Sequence, residues 1–185
     1  MLRTILIGRR PKFTLIRIAV LVVTCYVVFG FILLFIQING PSMLPAYREK
    51  SIHCVNRLAY LRHEPQRGDV VSIRISGEEY SAGEFFHDLT RFRLKWNRLS
   101  RPSVMYMKRV VGLPGETIEF RRGTLVVNGQ WLEEPYVQGP CGWHMEPRRL
   151  GTNEYFVVGD NRSMPIELHE MGVPLRSHIV GRVFL

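Results

Sequence analysis

The chain has 185 residues and a formal net charge of +9 at pH 7, and its charges are unevenly placed. The first acidic residue is Glu49, whereas residues 1–17 carry a basic cluster. Because the rest of the chain is only mildly basic, the pattern does not favour a nucleic-acid-binding protein. No CxxC, HExxH or Walker pattern occurs, so we expect neither a metal nor a cofactor. The cluster consists of Arg3, Arg9, Arg10, Lys12 and Arg17.

The first predicted element is an apolar segment over residues 18–38, which carries no charged side chain. As a helix it is long enough to cross a hydrocarbon core of about 30 Å. The basic cluster lies on its N-terminal side, which predicts that residues 1–17 are cytoplasmic and residues 39–185 are exported. A cleaved signal peptide is the alternative, but no cleavage site of small residues follows the run. We therefore expect one uncleaved transmembrane anchor.

Beyond residue 39, short apolar runs alternate with glycine-containing turns, which predicts a mainly β domain. Asn128-Gly129 lies between two such runs and is typical of a type I′ hairpin turn. The predicted strands are 51–56, 70–75, 104–111, 117–120, 124–127, 130–132, 155–158 and 179–185.

Residues 77–101 differ from the rest because large apolar side chains recur at spacings of three and four, which indicates a helix. Basic side chains are interspersed among them. The segment is either an amphipathic helix packed on the β domain or a helix lying on anionic lipid. The apolar positions are Phe85, Leu89, Phe92, Trp96 and Leu99.

Two cysteines outside the apolar segment, Cys54 and Cys141, leave two interpretations open. They form a disulfide in an oxidising compartment, or they are separate small buried residues.

Ser42 and Lys108 are the candidates for chemistry. Ser42 follows the apolar segment closely, so an anchor would hold its hydroxyl near the membrane surface. A serine hydroxyl needs a base within hydrogen-bond reach before it can act as a nucleophile. Lys108 lies in a run that otherwise reads as a buried strand, and burial lowers the pKa of a lysine, so that a neutral amine can accept that proton. Each residue alone also fits an ordinary loop serine or a lysine that extends to solvent.

The order of the motifs around these residues resembles the type I signal peptidase family, the membrane-bound serine–lysine proteases. The resemblance covers nearly the whole chain except residues 77–101. The matching motifs are Gly40-Pro41-Ser42-Met43-Leu44-Pro45, Arg67-Gly68-Asp69-Val70-Val71, Tyr106-Met107-Lys108-Arg109 with Gly112-Leu113-Pro114-Gly115-Glu116, Asn128-Gly129 with Glu134-Pro135-Tyr136, Gly159-Asp160-Asn161-Arg162-Ser163, and Gly172-Val173-Pro174.

The resemblance implies that Ser42 is the nucleophile and Lys108 its general base. It also implies that Met43 and Tyr106 flank the substrate, and that the backbone N–H of Ser42 stabilises the oxyanion. Gly40 occupies a place where some members carry a hydroxyl, so only backbone or water can serve there. The implied fold is a β-rich catalytic domain with a small β lobe, here about residues 121–153.

The implied partners are exported preproteins, cut after a signal peptide with small side chains at the first and third positions before the cut. The implied location is the bacterial cytoplasmic membrane, with lipid as a further partner. Two other functions stay open. One is a specialised relative, such as a pilus maturation or mitochondrial inner-membrane peptidase. The other is a catalytically inactive, membrane-tethered binding protein.

The last motif departs from the family pattern. Pro165 stands at the place of the serine that orients the lysine, and Ser163 is the candidate substitute. Glu167 and His169 replace an Asp–Arg pair, and they can pair when the histidine is protonated. This predicts a pH dependence near the ordinary histidine pKa of about 6.5.

Two further residues of the same motif are expected to support the site. We expect Asp160 to pair with Arg109, whose side chain points away from Lys108 because strand side chains alternate. Asn161 follows directly in the same motif.

Overall fold

The computed structural model describes residues 11–74, 105–169 and 172–184. The predicted helix over 77–101 lies outside these residues. The described part is mainly β, with one α-helix, α1, at its start. Its strands are β1 (Leu33–Gln37), β2 (Ile52–Asn56), β3 (Val70–Arg74), β4 (Met105–Gly112), β5 (Thr117–Arg121), β6 (Thr124–Val127), β7 (Gln130–Trp131), β8 (Met145–Arg149), β9 (Phe156–Val158) and β10 (Ile179–Val183).

The apolar segment does not form the single helix predicted over residues 18–38. Helix α1 spans Pro11–Val27 and continues as a π-helical turn over Val28–Ile32. The next five residues form β1, which pairs antiparallel with β2. The prediction is wrong at this end because bulky and β-branched residues such as Phe35 and Ile36 also favour a strand when a partner strand is present. Within the described residues, no helix has both the length and the apolar character that crossing a membrane requires.

The larger sheet has six strands in the order β1-β2-β10-β3-β4-β9. Strand β4 therefore has a hydrogen-bonded neighbour on each side, β3 and β9. In this register Lys108 lies opposite Val71, and Arg109 lies opposite both Val70 and Val158. An interior strand held by two neighbours places the side chain of Lys108 at a fixed point of the sheet.

The smaller sheet has four strands in the order β7-β6-β5-β8. It begins with β5, before the predicted lobe boundary at residue 121, and it includes β8, which the sequence pattern did not indicate. The turn between β6 and β7 has φ of 51° at Asn128 and 79° at Gly129, as a type I′ turn requires.

A hydrophobic core joins the two sheets. Gly112, the last residue of β4, lies where they meet, and a Cβ there would be 2.8 Å from both Ile118 Cδ1 and Phe156 Cβ. Only a glycine allows this close approach without displacing the core. The buried residues of this core are Val111, Ile118, Phe120, Leu125, Val127, Trp143, Leu150, Phe156 and Val158.

The three cysteines Cys25, Cys54 and Cys141 are free. Of the two interpretations that the sequence left open, the disulfide between Cys54 and Cys141 is therefore wrong. Both are partly buried, and Cys141 packs against the core between the sheets.

Candidate active site

The side chains of Ser42 and Lys108 meet beside strand β4 of the larger sheet. Lys108 Nζ and Ser42 Oγ are hydrogen-bonded at 2.9 Å, although the two residues are 66 positions apart. Ser42 lies in the loop between β1 and β2, and Lys108 is in the middle of β4. The sheet therefore brings together two residues that lie far apart in the sequence.

Lys108 is only 3% exposed. Its strand neighbours Met107 and Val110 are also buried. Removing an amine from water disfavours its charged form, so this environment favours a neutral Nζ. A neutral amine in contact with a hydroxyl can accept the hydroxyl proton.

The other predicted substrate-side residues differ in their surroundings. Met43 is 1% exposed and packs in a core with Tyr47, Val70 and Met107, so it supports the serine loop from within. Tyr106 is half-buried on β4, two residues before Lys108 and therefore on the same face of the strand. Gly40 has φ of +102°, a conformation that favours glycine and turns the chain into the serine loop.

A turn at residues 159–161 holds the backbone of the serine loop. The Asn161 N–H donates to the Ser42 carbonyl at 3.0 Å, and Asn161 Nδ2 donates to the Pro41 carbonyl at 3.1 Å. A Cβ at Gly159 would be 2.1 Å from the Ser42 carbonyl oxygen. The last motif thus touches the nucleophile candidate through its main chain.

The expected contact between Arg109 and Asp160 is present. Arg109 Nε and Nη2 donate to the two carboxylate oxygens of Asp160 at 2.7 and 2.6 Å. Arg109 Nη1 donates to the Gly68 carbonyl at 2.8 Å, and the guanidinium lies 4.0 Å from the centre of the Tyr136 ring. Burial lowers the pKa of Arg109, but the hydrogen bonds and charge of Asp160 outweigh it and raise that pKa overall. The pair fixes the turn to β4.

The predicted pair between Glu167 and a protonated His169 is wrong. Glu167 is exposed, whereas His169 is buried. His169 Nδ1 accepts a hydrogen bond from the Gly159 N–H at 3.0 Å, and Nε2 lies 3.1 Å from the Asn161 carbonyl oxygen. Burial lowers the pKa of His169 to about 4, and the charge that Lys108 carries when its amine is protonated acts in the same direction. The imidazole is therefore neutral at pH 7, and its partners are backbone groups.

Ser163 does not occupy the role suggested for it. Its hydroxyl is exposed and donates to Asn161 Oδ1 at 2.5 Å. Its proton is therefore used in the hydrogen bond to Asn161.

A buried ion pair that the sequence did not reveal links the smaller sheet to the same turn. Arg162 is 1% exposed, and it donates to the two carboxylate oxygens of Glu134 at 2.8 and 2.5 Å. Its Nε donates to the Gly159 carbonyl at 3.0 Å, and its guanidinium lies near the rings of Phe120 and Trp143. Both partners lie in motifs that the sequence singled out, but nothing in their spacing predicts that they meet.

Comparison with known proteins identifies relatives of the chain. A signal peptidase I from Leptolyngbya laminosa is 31% identical over 145 residues, which are 78% of this chain and 64% of the relative. The chain thus spans less than two-thirds of that relative's length. Signal peptidase I S from Bacillus subtilis strain 168 is 27% identical over 176 residues, which are 89% of this chain and 82% of the relative.

One solved structure and one family model complete the comparison. The crystal structure of a signal peptidase I from Enterococcus faecalis V583 is 23% identical, covers 65% of this chain and 97% of that chain, and has a TM-score of 0.43. The family model described as signal peptidase, peptidase S26, matches residues 12–185. This match contains both sheets, the serine loop and the turn that contacts it, and the chain therefore belongs to the signal peptidase family, peptidase S26.

Proposed function

We propose that the protein is a membrane-bound serine endopeptidase that removes signal peptides from exported preproteins. Ser42 is the nucleophile and Lys108 is its general base. The observation that carries the proposal is the 2.9 Å contact between Lys108 Nζ and Ser42 Oγ in a buried setting. Family membership supports the reaction class, and the burial of Lys108 supports the role of the amine.

The proposed reaction has two stages. In the first, the neutral amine of Lys108 takes the Ser42 proton while Oγ attacks the scissile carbonyl carbon. The C–N bond then breaks, and the lysine ammonium gives its proton to the leaving amine. In the second stage Lys108 deprotonates a water molecule, which attacks the acyl ester and releases Ser42.

Charge develops on the carbonyl oxygen of the substrate, and backbone donors stabilise it. The N–H of Ser42 is the donor that the proposal assigns. Because residue 40 is a glycine, its side chain cannot add a hydroxyl. The position of the Ser42 backbone therefore matters twice, once for Oγ and once for this donor, and Asn161 holds that backbone.

The proposed substrates are extended segments of exported preproteins. In an extended chain alternate side chains point to the same side, so the first and third residues before the cut face the same wall. Tyr106 lies on the same face of β4 as Lys108 and is proposed to line this wall. Small side chains at the two positions are proposed to fit it.

We propose that the apolar N-terminal segment holds the protein at the bacterial cytoplasmic membrane, with the basic cluster on the cytoplasmic side. Both the basic cluster and the exposed apolar surface of α1 support this placement. Alkaline extraction should leave the protein in the membrane fraction, and added protease should reach the β domain only from the outer side. The exposed apolar side chains include Phe13, Leu15, Ile16, Ile18, Val20, Leu21, Val22, Val23 and Val27.

The test of the peptidase proposal is cleavage of a preprotein that carries alanine at both positions before the cut. Ser42→Ala and Lys108→Met should each lower kcat by at least about 10³-fold, because both groups act as one unit. Methionine keeps the apolar stem of the lysine and removes the amine. Ser177→Ala, a partly buried serine far along the chain, is the control and should retain full activity. Full cleavage by Ser42→Ala would exclude the proposal and favour a tethered binding protein.

A further inference from the structure

His169 occupies a place in the turn that the peptidase reaction as proposed does not use. We infer that His169 is a positioning residue, whose neutral imidazole locks the turn at residues 159–161 against the backbone of Ser42. The inference rests on the proposed function, since it concerns the placement of the proposed nucleophile. It assigns a task to a residue that departs from the family pattern.

The imidazole ring of His169 is hydrogen-bonded to the first and the last residue of the turn. Nδ1 accepts from the Gly159 N–H at 3.0 Å, so the ring proton is on Nε2. Nε2 then donates to the Asn161 carbonyl at 3.1 Å. The acceptor and the donor of the neutral ring thus each hold one backbone group of the same three-residue turn.

The ring has a fixed orientation. It is 5% exposed, and it meets the Trp143 ring edge-on, with 4.6 Å between the centroids and an interplanar angle of 71°. Trp143 is itself held, because its Nε1 donates to the Met164 carbonyl at 2.7 Å. A Cβ at Gly159 would be 2.8 Å from His169 Cε1, so ring and turn are in close contact.

The turn contacts both His169 and the proposed nucleophile Ser42, so the position of the ring affects the position of Ser42. Asn161 is bonded to His169 through its carbonyl and to Ser42 through its N–H. Gly159 is bonded to His169 through its N–H and lies close to the Ser42 carbonyl. Without the His169 ring, the turn is no longer held on the side opposite Ser42, and both of its contacts with Ser42 are weakened. A displacement of about 1 Å at a reacting group lowers a rate by about 100-fold.

The charge state of the ring is part of the inference. A proton on Nδ1 would face the Gly159 N–H, and two donors cannot bond to each other. The positive charge of Arg162, directly after the turn, opposes an imidazolium, and so does that of Lys108 on β4 whenever its amine is protonated. Asp160, which lies within the turn, has its carboxylate engaged by Arg109. The surroundings therefore maintain the neutral form that the two bonds require.

The experiment compares His169→Ala and His169→Asn with the full-length wild-type protein. In asparagine, Oδ1 replaces Nδ1 as an acceptor for the Gly159 N–H, while the donor at Nε2 is lost. We expect His169→Ala to lower kcat by about 100-fold with KM changed by less than about threefold, and His169→Asn to recover part of kcat. His144→Ala is the matched control, because His144 is exposed and bonds only Glu146 among the residues described. It should retain full activity.

Thermal melting and ring NMR accompany the kinetics. In the wild type, ¹⁵N spectra at pH 6 should show a neutral His169 with its proton on Nε2. A charged ring, the other tautomer, or an unchanged kcat in His169→Ala would overturn the inference. The inference would also be overturned if the loss of kcat in both variants were no larger than their loss of folded protein. If His169→Ala does not fold, His169→Asn decides by the same criterion, with an expected tenfold loss of kcat, so that about one tenth of the wild-type rate is retained.

The Ser42→Ala variant separates this inference from the proposed function. If Ser42→Ala abolishes cleavage while His169→Ala leaves kcat unchanged, only the positioning role fails. If Ser42→Ala cleaves normally, the peptidase proposal fails.

Discussion

At the scale of single residues, the site depends on close approaches that only small or neutral groups permit. The most restrictive is at Gly159, where the main chain passes directly over the carbonyl of Ser42. A hydrogen in place of a methyl group is what allows the Asn161 N–H to reach that carbonyl. The chemistry proposed for Ser42 and Lys108 therefore depends on a residue that has no side chain.

Gly159→Ala is expected to inactivate the protein. The new methyl carbon would be 2.1 Å from the Ser42 oxygen and 2.8 Å from His169 Cε1, and both positions are held by other contacts. The serine loop must shift, and we expect kcat for preprotein cleavage to fall by about 100-fold. Gly142→Ala is the control, since a Cβ there meets nothing within 4 Å. Equal activity of the two variants would contradict this prediction.

At the scale of elements, the two sheets are joined by charge as well as by apolar packing. The segment after β7 carries Glu134, and the turn after β9 carries Arg162. Their bidentate contact lies beneath the turn that touches Ser42. A second link passes from Arg109 on β4 to Asp160 in the same turn. The turn is thus held from both sheets.

Glu134→Gln is expected to destabilise the fold. It leaves the guanidinium of Arg162 buried without a counter-charge, and breaking one partner of such a pair costs about 3 kcal/mol or more. Urea denaturation measures the loss. Glu133→Gln, at the exposed neighbouring position, should change the free energy of unfolding by less than about 0.5 kcal/mol. A small effect at residue 134 would show that Arg162 is stabilised mainly by its aromatic neighbours.

At the scale of the whole molecule, His169 makes the free energy of unfolding depend on pH. Its pKa is about 4 in the folded protein and about 6.5 when the chain is unfolded. The unfolded chain therefore takes up this proton first as the pH falls. The unfavourable contribution of His169 to the folded state therefore grows as the pH falls from about 6.5 to about 4, stays constant below that window and is absent above it.

His169→Asn should remove this dependence. The free energy of unfolding of the wild type should fall more steeply with decreasing pH, by up to about 1.4 kcal/mol per pH unit. Denaturation at several pH values between 4 and 7 measures the difference between the two curves. Parallel curves would contradict the lowered pKa. This replaces the dependence centred near pH 6.5 that a Glu167–His169 pair would give.

The sequence predicted most strands because alternating apolar runs and turn glycines are local signals. It missed β8, because Met145–Arg149 is mostly exposed, lacks an alternating apolar pattern and pairs with β5 only in the folded protein. It extended the N-terminal helix too far, since the pairing of β1 with β2 depends on residues that lie later in the chain.

The candidate site was predicted in a similarly uneven way. Ser42 and Lys108 could be chosen from residue chemistry and motif order. The partners of His169 could not be predicted. In the sequence the nearby charged residue is Glu167, whereas the backbone groups that His169 bonds lie close to it only in the folded protein. The Arg162–Glu134 contact likewise depends on how the two sheets meet.

The alternation along β4 sets a limit on how this chain can change. Lys108 and Arg109 are consecutive, and a shift of the strand by a single residue would exchange the faces that their side chains occupy. The Ser42 hydroxyl would then face a guanidinium, which does not give up its proton in proteins and so could not serve as a base. An insertion or deletion of one residue between Met105 and Lys108 would therefore abolish turnover even if the larger sheet re-formed around it.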